Sequence, residues 1–177
     1  MRALILAVGL TLVTATAGIA QEHQHSPYVG HEMSEIPSLF PKELADLRAG
    51  AGMGLARAAE LNHYPGPKHV LELADSLALS PAQREEVEAI RQAMHTRAVE
   101  LGMQIIEAER TLGQRFRHGH IDSAAVREAT ADIGQLQGEL RYVHLAAHLA
   151  TRALLDPAQI EAYDRLRGYG EGAGSRG

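Results

Sequence analysis

The chain has 177 residues, a formal net charge of −5, 10 histidines and no cysteine. Its length suits one domain with a leader, and its mild acidity argues against a nucleic-acid partner, which would need a basic stripe. Lacking cysteine, it has neither disulfides nor thiolate sites, so packing or oligomerisation must hold the fold. Few aromatics and much alanine, leucine, glutamate and arginine are the composition of a helical bundle.

Met1-Arg2, the apolar run from Ala3 to Val13 and the small residues Ala15, Ala17, Gly18 and Ala20 read as a signal peptide over residues 1–20. Cleavage after Ala20 would leave Gln21 first. The alternative is an uncleaved anchor, although the run is short and threonine-laced for a spanning helix. Residues 21–40, rich in Gln, His, Ser, Pro and Gly, read as a flexible tail. A helical domain is expected over residues 41–168, followed by a Gly-rich tail over 169–177.

Within the domain, Pro41 opens a first helical segment expected to run, straight or kinked, to about Asn62. The run Gly50-Ala51-Gly52-Met53-Gly54 at its centre is costly in a helix, at roughly 1 kcal/mol per glycine, but lets another helix approach closely. Pro65-Gly66-Pro67 breaks the chain, and a short helix from Pro67 should reach about Ala78. The third segment, Pro81 to about Arg117, carries Val87, Ile90, Met94, Ala98, Leu101, Ile105, Ala108 and Leu112 at steps of three and four, a coiled-coil-like seam. His118-Gly119-His120 makes a turn, and Asp122 or Ser123 caps a return helix. That helix has a matching seam: Val126, Ala129, Ile133, Leu136, Leu140, Val143, Ala147, Ala150 and Leu154. Two matched seams joined by a short loop predict a long antiparallel hairpin in an all-α fold with shorter flanking helices.

One pattern occurs twice. Leu79-Ser80-Pro81-Ala82-Gln83 returns as Leu155-Asp156-Pro157-Ala158-Gln159. Ser80 and Asp156 are N-cap residues, each proline takes the first helical position, and Gln83 and Gln159 stand where a capping box needs them. Leu79, Ser80, Gln83, Leu155, Asp156 and Gln159 are therefore read as structural. Their pattern resembles the LTxxQ motif of the Spy/CpxP family of periplasmic helical proteins, with Ser80 and Asp156 standing where the family has threonine. The order of segments from about residue 42 to 169 is similar as well. The resemblance implies an interlocked homodimer forming a thin curved cradle, and a role in handling unfolded chains, envelope stress or metals. Client-binding members combine basic charge with apolar patches, whereas this chain is acidic and has only two phenylalanines.

The histidines carry the second signal. His144 and His148, four apart on the return helix, project from one face as a ready clamp for Zn, Cu, Ni or Co. Relative to the seam, Val143 and Ala147 should point inward and the histidines flank it. A third ligand could come from His63 or His69 near the proline break, or from Glu60 or Glu72. Half-buried histidines satisfied by backbone or carboxylate are the bland alternative. This is not a metalloprotease clamp, since Leu145 follows His144 where a glutamate base would be needed. Family relatives include a zinc-resistance-associated protein and CnrX-like nickel/cobalt sensors. The sensors resemble this chain in a late His-x-x-x-His/Met pair, but also use an earlier His-x-x-x-His pair that it lacks. Separately, with Gln21 first, His23 is the third residue, and the free amine, two amides and imidazole make a square-planar site for Cu(II) or Ni(II). His25, His31 and Met33 would extend that tail, while His118 and His120 fit an exposed turn.

No nucleophile–base arrangement or cofactor loop is present, so the expected mode of action is binding rather than catalysis, with no cofactor required beyond a possible Zn, Cu or Ni ion. The leading expectation is an ATP-independent periplasmic chaperone or envelope-stress protein that shields apolar segments of unfolded or partner envelope proteins. The alternative is a metal buffer or sensor built on the His-x-x-x-His pair.

Overall fold

The computed structural model describes residues 26–30 and 32–169, so the expected leader, His23, His25 and His31 lie outside the described residues. Six helices follow one another: α1 (Pro41–Arg48), α2 (Arg57–Glu60), α3 (Pro67–Glu72), α4 (Pro81–Arg117), α5 (Ser123–Leu154) and α6 (Pro157–Arg167). The described residues contain no strand, and none of their helices is long and apolar enough to cross a membrane. The expected all-α fold with a long hairpin is what forms. α4 and α5 pack along each other, α1 and α3 lie on α4, and α2 touches α5.

The hairpin follows its seams. Val87, Ala98, Leu101 and Ile105 of α4 are buried, as are Ile133, Leu140 and Ala147 of α5. Burying each large aliphatic side chain contributes about 1.5–3 kcal/mol. The turn leaves His118 and His120 exposed, and Asp122 accepts from the Ala125 amide at 2.8 Å to cap α5.

Where the short helices stop differs from the sequence reading. α1 ends at Arg48 rather than near Asn62, because Gly50, Met53 and Gly54 take positive φ values of 56°, 45° and 75°. α3 ends at Glu72 rather than Ala78, and the chain turns through Ala78 at φ 49° before reaching the cap of α4. Residues 21–40 are not tail throughout. Ile36 is buried at 1% exposure among Leu47, Leu101, Ile105 and Ile106, and Glu35 pairs with Arg48 at 2.6 Å. At the other end Tyr169 is docked rather than part of a tail, its phenol hydrogen-bonded to Glu60.

The layer formed by residues 36–72 also widens the buried side of the hairpin beyond a two-helix seam. Ile106 is therefore fully buried although it lies off the α4 repeat. Gly102 is buried because the last turn of α1 rests on it: a Cβ there would stand 2.1 Å from the Leu47 carbonyl oxygen.

Both motif copies act as caps, and they also meet. Ser80 Oγ accepts from the Gln83 amide at 3.1 Å, and Gln83 Oε1 accepts from the Ser80 amide at 3.0 Å. Asp156 and Gln159 repeat the exchange at 2.8 and 3.0 Å. The two glutamine side chains then bond to each other, Gln83 Nε2 donating to Gln159 Oε1 at 2.9 Å and Gln159 Nε2 to Gln83 Oε1 at 3.1 Å. Gln83 Nε2 also donates to the Leu154 carbonyl, and Gln159 Nε2 to that of Leu77. Around this knot lies a second core of Val70, Leu77, Leu79, Val87, Leu155 and Tyr163. Along α5, His144 and His148 fall between Leu140 of the first core and Leu155 of the second.

Candidate metal-binding pocket

A four-residue step on α5 puts His144 and His148 on one side of the helix, and that side is turned into the protein. His144 is 4% exposed, so it does not flank the seam as expected; Val143 beside it is only half-buried. The extra layer causes the difference, since His144 faces the segment that follows α1 rather than solvent. His144 and His148 together line two cavities. One, of about 510 Å³, is shared with Glu60, His69, Arg167 and Tyr169. The other, of about 450 Å³, is shared with Gly66, His69, Met94 and His95.

His148 is oriented from both sides. Its Nδ1 lies 2.7 Å from the Tyr64 carbonyl oxygen. A carbonyl only accepts, so Nδ1 carries a proton, and in the neutral ring the lone pair then lies on Nε2, the tautomer in which Nε2 can ligate. On the opposite side, a Cβ on Gly66 would stand 2.8 Å from His148 Nε2 and 2.7 Å from Cε1. Only glycine lets the Pro65–Pro67 break lie so close to the ring. Arg152 over the Tyr64 ring, 4.7 Å from its centroid, helps to hold that carbonyl's residue in place.

Two polar atoms in this pocket are buried without a hydrogen-bond partner: His144 Nε2 and Glu60 Oε2. Burial, and secondarily the charge of His148, holds the His144 imidazole below its ordinary value of 6.5, so it is a neutral ligand donor at pH 7. Glu60 Oε2 lies 3.6 Å from His148 Nδ1. The other oxygen, Oε1, is occupied: Tyr163 donates to it at 2.5 Å and Tyr169 at 3.0 Å, with Arg167 Nε at 3.6 Å. Burial and the neighbouring carboxylate push the Tyr163 phenol far above its usual value, which keeps it a donor.

The sequence-predicted residues thus separate. His144 and His148 share a pocket with His69 and Glu60, two of the proposed third ligands. His69 Nδ1 is engaged by Glu72 at 2.8 Å. His63 lies elsewhere: it adopts φ 64°, is largely exposed, and its Nδ1 pairs with Asp164 at 2.7 Å. Among the described residues no group of three or more His, Asp or Glu side chains is placed to hold a metal ion together. The types of donor that line the pocket, two imidazoles and a carboxylate, nonetheless suit a borderline divalent ion. Sequence reasoning missed Tyr163 and Tyr169. Their spacing from Glu60, about a hundred residues along the chain, offered no local signal.

A family model described as heavy-metal resistance matches residues 47–162, from the end of α1 into α6. That segment contains Glu60, His144 and His148 and stops one residue before Tyr163. No curated protein and no solved structure matches the chain.

Proposed function

The chain belongs to the heavy-metal resistance family, a Spy/CpxP-like helical family, and from that premise we propose that it is an exported protein that binds a divalent transition-metal ion in the pocket of His144, His148 and Glu60. One observation carries the reading: His144 Nε2 and Glu60 Oε2 are buried without partners in a single pocket. Stranding a buried polar atom costs about 1–3 kcal/mol, and folds rarely retain two such atoms in one pocket without use. Imidazole and carboxylate donors with no thiolate favour Zn, Ni, Co or Cu over softer chemistry. A bound ion would supply positive charge that compensates the Glu60 carboxylate. The chain's own part is to fix the His148 tautomer through the Tyr64 carbonyl and to keep His144 neutral. Export is supported by the leader-like residues 1–20, and the action is binding rather than catalysis.

Calorimetric titration with Zn(II), Ni(II) and Cu(II) tests this reading. Micromolar or tighter binding should be lost in His144→Ala/His148→Ala, and the bound ion should raise the melting temperature of the wild type. Binding unchanged in the double variant would instead point to the His23 tail.

A second reading, client binding by a homodimer, draws on an apolar groove of about 410 Å³ lined by Leu39, Leu47, Met53, Leu55, Ile105 and Leu140. Its mark would be suppression of aggregation of a heat-stressed client at near-stoichiometric ratio, with sedimentation reporting a dimer. No suppression even at large excess would reject it.

A further inference from the structure

The two oxygens of Glu60 have opposite surroundings. Oε1 takes the phenols of Tyr163 and Tyr169 and the guanidinium of Arg167, whereas Oε2 is left bare beside His148. The terminal torsion of a glutamate is soft and roughly two-fold, so an untethered carboxylate presents either oxygen. Two phenols on one oxygen remove that freedom. All three groups on Oε1 come from α6 and the residue pair after it, beyond the family-matched segment 47–162. Meanwhile Gln159, at the start of the same helix, is tied to Gln83. α6 is thus anchored at the motif knot and reaches from there to the carboxylate.

We propose that Tyr163 and Tyr169 are positioning residues of the metal site, holding Glu60 Oε1 so that Oε2 is presented to the ion and coupling metal binding to the docking of α6. This inference rests on the metal-binding reading above. Partners that orient a ligand from behind commonly change metal affinity by about 10–100-fold when removed. Linkage makes the coupling reciprocal: if docked α6 favours the ion, the ion favours docked α6 to the same degree. A purely structural phenol would behave otherwise. Its loss would lower stability and leave affinity alone.

The test is Zn(II) calorimetry on the purified protein, on Tyr163→Phe and on Tyr169→Phe, each also in a Glu60→Gln background, with amide exchange measured with and without Zn(II). The expected result is a Kd raised about 10-fold or more by either phenylalanine. No further rise should occur once Glu60 is glutamine, and Zn(II) should slow exchange across residues 157–169 only when the phenols are present. Tyr169 is half-buried, so its variant keeps the test open if Tyr163→Phe folds poorly. Phenylalanine variants with wild-type Kd, or with the same cost in the Glu60→Gln background, would overturn the positioning role while leaving the metal site standing. No Zn(II) binding by the wild type, or binding indifferent to His144→Ala/His148→Ala, would overturn both.

Discussion

The glutamine knot and the histidine pocket lie on neighbouring stretches of the same hairpin and treat buried polar groups in opposite ways. At the knot, every polar atom of the Gln83 and Gln159 side chains has a partner, in caps, in each other or in the Leu154 and Leu77 carbonyls. In the pocket, His144 Nε2 and Glu60 Oε2 have none. Satisfied polar groups rigidify and specify a fold, while unsatisfied ones are retained where something other than stability is selected. On the proposed reading the doubled motif is scaffold and the pocket carries the chemistry, although the motif is the more conspicuous pattern in the chain.

The largest expected effect breaks the knot. Gln83→Leu removes a capping contact and strands the Leu154 carbonyl, which should cost about 2–4 kcal/mol in denaturant unfolding. Because the knot is scaffold, metal affinity measured in the folded variant should stay near wild type. Gly66→Ala attacks the pocket instead. The new Cβ, 2.7 Å from His148 Cε1, must push the ring off the Tyr64 carbonyl. A Kd about 10-fold weaker is expected with a smaller change in melting temperature. Equal loss of stability at both sites would erase the contrast.

His144→Leu sharpens it from the other side, since removing an unpartnered buried nitrogen should stabilise the metal-free protein by about 1 kcal/mol even as binding is lost. The effect of pH is the smallest. His144 is held below 6.5 by burial, so the unfolded chain takes up its proton first as pH falls. Stability should be level above about pH 6.5 and decline as pH drops from there towards the folded value. Thermal melts from pH 8 to 5 should show that decline in the metal-free wild type and a shallower one in His144→Leu.

The long elements were legible from their own residues. Periodicity and caps located α4 and α5, because a seam of thirty residues outweighs any single misplaced side chain. The short helices were not, since α1 and α3 end where positive φ values at Gly50, Met53 and Ala78 redirect the chain, and only tertiary contacts decide such turns. The pocket was half legible. A four-residue step paired His144 with His148, but burial of His144 depends on a layer the seam does not encode. The sequence put His63 ahead of Glu60 as a third ligand, and the structure separates them, with His63 on Asp164 and Glu60 under two tyrosines.

The most direct measurement is anomalous scattering at the metal edge from crystals of the Zn(II)-loaded protein. The account predicts a peak about 2.0–2.2 Å from His144 Nε2, with His148 and Glu60 Oε2 completing the protein ligands. A peak found only at exposed histidines such as His118 and His120 or on the N-terminal segment, with His144 Nε2 still unliganded, would contradict it.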